Sequence, residues 1–222
     1  ALSDDRAVRA VLITGAGRAF SSGADLSEPP EPGESGMPDL GKHLREVYHP
    51  VITGLREMPK PVVSAVNGPA VGIGCSLALA ADLVLAARSA YFLLAFVNIG
   101  LVPDGGATAF LPARIGLARA TELTLLGERL TAERALEWGL INRVVDDEAL
   151  GEEARALLAR LAKGPTGAYA EAKALLNRRL YADLEGQLEA EAQAQSRRAQ
   201  SKDFLEGVTA FLQKREPDFS GD

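Results

Sequence analysis

The chain has 222 residues, 47% of them hydrophobic, enough to bury a substantial core in one large domain or a domain with an appendage. Its 24 basic and 30 acidic residues leave a net charge of −6, with no basic stripe among aromatics, which argues against a nucleic-acid surface. The single cysteine, Cys75, excludes an internal disulfide framework, and His43 and His49 offer no metal-ligand cluster, so the expected protein is cytoplasmic and metal-free. The longest apolar run, around residues 90–103, contains Asn98 and falls short of the ~18 residues of a membrane span. No charged and apolar leader precedes the first strand in the sequence given.

Residues 8–14 (VRAVLIT) are apolar and β-branched and end at Gly15-Ala16-Gly17, the pattern of a buried strand. Residues 27–41 (SEPPEPGESGMPDLG) break every period and predict a surface loop. From residue 40 to 58, Leu44, Val47, Val51, Ile52 and Leu55 keep helical spacing until Pro59-Lys60-Pro61 stops it. A second strand over 62–66 (VVSAV) runs into Asn67-Gly68-Pro69; a helix from the glycines at 72 and 74 to Asp82 precedes a third strand over 83–86. Strand, turn, helix and strand in this order mark a parallel-type α/β core, in which function gathers at the strand-to-helix turns. After Gly106 an amphipathic helix runs to Leu126, Thr131 has the character of an N-cap, and residues 141–145 (INRVV) form a short strand. Beyond Asp146 the pattern is helical over 150–163, 165–181, 184–200 and 204–214, the last with Phe204, Val208, Phe211 and Leu212 on one face. The expected organisation is an α/β core over residues 1–145 and a helical region over 146–222.

The glycines of GAGRAF (15–20) invite a dinucleotide reading, but Phe20 replaces the third glycine and no Walker lysine follows; a tight turn is the better account. Residues 21–26 (SSGADL) and 68–76 (GPAVGIGCS) each follow a strand. In the second, the amides near Ile73 open a helix, where unpaired N–H groups and the dipole favour negative charge. Two such turns on neighbouring strands can converge their N–H groups on one oxygen, as an oxyanion hole requires, although glycines at helix starts also serve as packing devices. Asp104 ends the run LLAFVNIGLVPDGG (93–106), between a proline and two glycines. A turn aspartate commonly caps the next helix through backbone hydrogen bonds, and one beside an oxyanion hole is also a candidate base. Asp82 reads as a structural acid at a helix end, Asp25 as a turn residue, His43 and His49 as satisfied surface residues, and Trp138 with Leu140 as a helix-to-strand core contact.

Three segments in this order, VLITGAGRAFSSGADL (11–26), KPVVSAVNGPAVGIG (60–74) and IGLVPDGG (99–106), resemble the enoyl-CoA hydratase/isomerase (crotonase) family. The resemblance extends to ALEWGLINRVV (135–145) and KREPDF (214–219). It implies a crotonase-like spiral of ββα turns with a helical C-terminal region that mediates homotrimers, often paired into hexamers. The substrate it implies is an acyl-CoA thioester, with coenzyme A as part of the substrate and no separate cofactor. By position, the backbone N–H groups of Ala24 and Ile73 would hold the thioester oxygen; Ile73, where many relatives have glycine, narrows the space beside it. The backbone around Ser22, Ala24 and Leu26 would hold the adenine end of CoA, and Phe211 with Lys214 would reach the CoA of a neighbouring subunit. The strand pair usual upstream of the first motif is missing from this chain, so one edge of the core and part of the cleft would come from residues not shown.

Hydration of a 2-enoyl thioester takes carboxylates that orient water and deliver a proton, and the family's hydratases typically use two glutamates. At those positions this chain has Ser76 and Phe96, neither of which is an acid or base at neutral pH. Asp104 is the remaining acid, and AFVNIGLVPD (95–104) resembles the phenylacetate-pathway isomerases that rearrange a ring-epoxide CoA thioester. The same residues suit a 3-enoyl to 2-enoyl shift. An apolar surround of Leu94, Phe96, Val97 and Phe110 would raise the pKa of Asp104 by desolvation. With Phe96, Ser76 and Val97 at the substrate pocket, the expected activity is that of an acyl-CoA isomerase with Asp104 as acid/base. The alternatives are a hydratase using a non-standard acid, a non-catalytic acyl-CoA binder, and a dehalogenase-like enzyme whose aspartate attacks an aromatic ring.

Overall fold

The computed structural model describes residues 2–27, 31–33 and 36–222. Strand β1 (Val11–Thr14) is followed by α1 (Leu40–His43), a π-helical turn (Leu44–Tyr48) and α2 (His49–Glu57). Next come β2 (Val62–Val66), β3 (Ala70–Val71) and α3 (Ile73–Leu79), then β4 (Leu83–Ala87), β5 (Tyr91–Leu93) and α4 (Ala107–Leu126), the last broken at Gly116, whose φ of 75° and ψ of 166° are not helical. After β6 (Arg129–Thr131), α5 (Ala132–Trp138) and β7 (Arg143–Val145), the chain continues as α6 (Leu150–Lys163), α7 (Thr166–Leu180), α8 (Leu184–Arg198) and α9 (Lys202–Gln213).

The strands sort into two sheets. One has the order β1-β2-β4-β7, all parallel; the other has the order β3-β5-β6, with β3 and β5 parallel and β6 antiparallel to β5. Each pass of the chain therefore leaves one strand in each sheet before its helix: β2, β3, α3, then β4, β5, α4. This is the expected spiral of ββα turns. The run VVSAV suits the middle of it, because all of β2 is buried and a parallel strand covered on both faces needs no polar side. Val62, Val63 and Val66 are fully buried, and each such side chain contributes about 1.5–3 kcal/mol relative to exposure.

Several boundaries differ from the sequence pattern. The ladder of β1 starts at Val11, not residue 8, and Arg9 is instead engaged by the start of α7, its Nε donating to Thr166 Oγ1 at 2.6 Å. The helix predicted over 40–58 is interrupted by the π turn and ends before Met58, whose φ of −53° and ψ of 121° are the extended geometry a following proline demands. In the predicted loop 27–41, residues 28–30, 34 and 35 lie outside the described residues, and Pro32 and Pro38 form an isolated antiparallel bridge. The individual strands of the smaller sheet are not visible in the residue pattern: β3, β5 and β6 are each two or three residues long, too short to display a period. Thr131 does cap α5, accepting from the Arg134 N–H at 3.3 Å, and Trp138 and Leu140 are buried.

Asp82 has the structural role predicted for it, on a larger scale than a helix end. It accepts from the Val62 N–H at 2.8 Å, from Lys173 Nζ at 2.8 Å and from Arg56 Nη1 at 3.2 Å, joining β2, α7 and α2. Among the described residues, no helix is long and apolar enough to cross a membrane.

Candidate active site

Three backbone segments meet at the start of α3. Ser21 continues the smaller sheet through a parallel bridge to Ala70, accepting from the Val71 N–H at 3.0 Å. Gly72 enters α3 with φ of +55° and donates to Leu93 O at 2.9 Å. A side chain at Gly74 would lie 2.4 Å from Ser21 Cβ, so only glycine permits the 21–24 segment to press on the helix start. A Cβ at Gly23, the neighbour of Ala24, would lie 3.2 Å from Val71 O, so this segment runs beside the residues that lead into Ile73. Ile73 is the first residue of α3, where no intrahelical acceptor exists for its N–H.

The third segment is the Pro-Asp-Gly-Gly turn. Gly105 and Gly106 have φ of +64° and +83°, which explains the glycine pair. A Cβ at Gly105 would lie 2.3 Å from Ile73 Cδ1 and 3.0 Å from Ser76 Cβ, so the turn rests directly on α3. The Ser76 hydroxyl, wholly buried, donates to the Asp104 carbonyl at 2.6 Å. Asp104 itself is only 6% exposed. Its Oδ2 accepts from Gln195 Nε2 at 2.7 Å, and among the described residues its Oδ1 has no hydrogen-bond partner. Burial pushes its pKa up to about 7; the Gln195 hydrogen bond opposes the rise and the nearby Glu191 charge adds to it.

Helix α8 supplies residues that the sequence pattern does not single out. Gln187, Glu191 and Gln195 recur every fourth residue, one stripe of a helix. Gln187 Nε2 donates to Thr108 Oγ1 at 2.7 Å. Glu191, 3% exposed, accepts from the Gly106 N–H at 2.7 Å, from the Thr108 N–H at 3.0 Å and from the Thr108 hydroxyl. Glu191 therefore caps α4, and the capping role open to Asp104 belongs to another residue. The one available signal was the alternation of this polar stripe with Leu188, Ala192 and Ala199, all buried.

Beside this junction lies a cavity of about 280 Å³, lined by Ser21, Gly23, Ile73, Gly74 and Leu77 and, across from them, by Val47, Tyr48, Val51 and Ile52. Val47 and Tyr48 come from the π turn, a local widening often found at functional sites. Burial raises the pKa of Tyr48, and the charge of Asp104 raises it further.

The remaining predicted site residues are less closely gathered. Phe96 is buried beside Gly72, while Val97 is half-buried and packs toward Gly127 at the end of α4. Ser22 and Ala24 are exposed and Leu26 half-buried. Asp25 holds its own turn, accepting from the Ser27 N–H at 2.9 Å. Phe211, 61% exposed, and Lys214, with φ of +54°, sit at the end of α9 and do not line the cavity. His43 and His49 are half-buried, not the satisfied surface residues expected: His43 packs edge-on against Tyr48 with ring centroids 5.3 Å apart, and His49 Nε2 has no hydrogen-bond partner among the described residues. Cys75 is buried and its thiol is pushed up to about 12, which leaves it inert.

Comparison with known proteins gives a consistent picture. The family model for enoyl-CoA hydratase/isomerase matches residues 1–222. A 1,2-epoxyphenylacetyl-CoA isomerase of Escherichia coli is 46% identical over 217 residues, covering 98% of this chain and 83% of that protein. A protein of Rhodobacter capsulatus described as "Probable enoyl-CoA hydratase" is also 46% identical, over 96% of this chain and 81% of its own length. The crystal structure of an enoyl-CoA hydratase from Mycobacterium avium subsp. paratuberculosis superposes with a TM-score of 0.89 at 41% identity, covering 99% of this chain and 83% of that one.

Proposed function

Given that the chain belongs to the enoyl-CoA hydratase/isomerase family, we propose that it is a cytoplasmic acyl-CoA isomerase. It shifts a double bond or rearranges an unsaturated acyl-CoA thioester, with Asp104 as acid/base. The observation that carries this reading is the condition of Asp104: a buried carboxyl with one oxygen held and the other free, on a turn packed against Ile73. A group titrating near neutrality is suited to both taking and returning a proton.

In this reading the thioester oxygen accepts from the N–H groups of Ala24 and Ile73, which stabilise it as negative charge develops. Asp104 removes the proton alpha to the carbonyl, the electron pair spreads into a dienolate, and the proton returns at the far end. The acyl group lies along the apolar wall of Val47, Val51 and Ile52, with Phe96, Ser76 and Val97 packed around the site outside the cavity lining. The segment Ser22, Ala24 and Leu26 holds the adenine end of CoA, and Phe211 and Lys214 reach the CoA of a neighbouring subunit. Residues 1–145 act as the acyl-CoA core and 146–222 as the region that assembles a homotrimer or hexamer. The reaction needs no cofactor beyond the coenzyme A of its substrate.

A second reading, hydration with Asp104 alone activating water, is favoured by the hydratase-named relative at 46% identity. Against it stand Ser76 and Phe96, which leave no second carboxyl at the positions where the family's hydratases carry glutamates. The test is to give the purified protein 3-enoyl-CoA and 2-enoyl-CoA separately and resolve the products. Conjugated isomer from the first supports the isomerase. A hydroxyacyl product from the second, with no isomerisation, moves the assignment to hydratase, and saturable binding without turnover moves it to a binder.

A further inference from the structure

Gln195 lies in the helical C-terminal region, yet it is 1% exposed and both ends of its amide are engaged at the Asp104 turn. Oε1 accepts from the Val102 N–H at 3.4 Å, and Nε2 donates to Asp104 Oδ2 at 2.7 Å. A backbone N–H can only donate, so it selects the amide oxygen and leaves the nitrogen to face Asp104. The opposite flip would set N–H against N–H at Val102. Oδ2 accordingly faces a donor whether Asp104 is ionised or neutral, and an acid proton on Oδ2 would point at that donor. This favours the proton of the neutral carboxyl on Oδ1, the oxygen with no partner among the described residues.

We propose that Gln195 is a positioning residue that holds Oδ2 and thereby assigns the transferable proton to Oδ1 in both halves of the reaction. The inference rests on the reading of Asp104 as acid/base. In the first half a C–H bond alpha to the thioester breaks, Oδ1–H forms, and the electron pair enters the dienolate. In the second, Oδ1–H breaks and a C–H bond forms at the far carbon, so protons and electrons balance without a co-reactant. One oxygen serves both steps and the carboxyl does not rotate, since rotation would break the Gln195 bond. The other titratable groups whose charges couple to Asp104 include Tyr48 from the π turn and Glu191 from α8; Ser76 donates to its carbonyl. Of the interactions acting on its titration, the Gln195 hydrogen bond is the one that favours the ionised form.

The test is the pH profile of kcat/KM for wild type and Gln195→Leu, which keeps the bulk and removes the donor. The acidic limb of the variant is expected about one pH unit higher, with about a tenfold loss below it and KM little changed. A parallel fall at every pH, or an unmoved limb, overturns the proposal. A substrate-free titration of Asp104 by ¹³C-carboxyl NMR, assigned against Asp104→Asn, separates this inference from the isomerase reading. If Gln195→Leu raises that titration while no enoyl-CoA is isomerised, the positioning role stands and the isomerase assignment falls. If the titration does not move, the positioning role falls whatever the activity. Should Gln195→Leu fail to fold, the isosteric Gln195→Glu replaces the donor with a second carboxyl and is expected to move the limb in the same direction.

Discussion

Glu191 holds the amino end of the helix that Asp104 precedes: it accepts from the Gly106 and Thr108 N–H groups, at 2.7 Å and 3.0 Å, while Asp104 makes no side-chain capping bond there. Two buried carboxyls thus meet at one turn, Glu191 from α8 holding its backbone and Asp104 left with one oxygen that no described residue engages. Glu191→Gln can offer oxygen at only one end of its amide and must turn N–H groups toward a buried donor. The expected cost is about 1–3 kcal/mol, or a Tm fall of roughly 2–4 °C per kcal/mol, read by thermal unfolding at pH 8. An unchanged Tm would mean that these hydrogen bonds contribute nothing net.

The pH dependence of stability follows from Asp104. Its folded pKa of about 7 lies above the ordinary aspartate value of 3.8, so between the two the native state binds more protons than the unfolded chain. The contribution is fully present below the unfolded pKa and is lost as pH rises through the folded one. Asp104→Asn cannot titrate and can still present its amide oxygen to Gln195. Relative to wild type, this variant is expected to be more stable at pH 8 than at pH 5, and thermal melts at the two pH values check the sign.

The same titration governs the proposed catalysis. A base must be ionised to accept a proton, so kcat/KM is expected to rise with pH up to about 7 and level off above it. A limb centred near the ordinary carboxylate range would show that Asp104 is more solvated, or less involved, than its burial implies.

Gly105 and Gly17 form a matched pair for testing how the turn positions α3. Both have positive φ, +64° and +72°, but a Cβ at Gly105 meets Ile73 and Ser76, whereas one at Gly17 meets nothing within 4 Å. Both alanine variants carry backbone strain of about 1 kcal/mol. Only Gly105→Ala is expected to lose isomerase turnover, by an order of magnitude or more, because it displaces Ile73. Equal kcat in the two variants would detach the turn from the proposed role of Ile73.

Asp82 offers a stability test remote from the chemistry. Removing it by Asp82→Ala strands Arg56 and Lys173, whose side chains are each 8% exposed, without their shared carboxylate. A loss of about 3–5 kcal/mol is expected for breaking such a buried pair from one side, measured by denaturant unfolding.

Much of the scaffold is legible in the chain because it is written locally. VVSAV reads as a buried strand from composition alone, residues 150–163 keep their helical period to the observed ends, and the Pro-Asp-Gly-Gly turn announces itself by its glycines. Asp104 is legible for the same reason, as a carboxyl at the end of an apolar run. Glu191 and Gln195 are not, because polar residues on a helix read as solvated until their partners are known. Those partners lie 85 and 91 positions away. Strand β5 is hidden differently: Tyr91, Phe92 and Leu93 open an apolar run whose later residues turn into a 3₁₀ segment (Val97–Ile99), and composition does not mark the change.

The most direct test of the account compares wild type and Asp104→Asn in the isomerisation of 3-enoyl-CoA, with CoA binding and circular dichroism confirming that the variant is folded. Removal of a general base predicts a loss of about 100-fold or more in kcat, with acyl-CoA affinity retained. Isomerisation surviving at near wild-type rate in a folded Asp104→Asn protein would contradict the central claim and send the search to another acid.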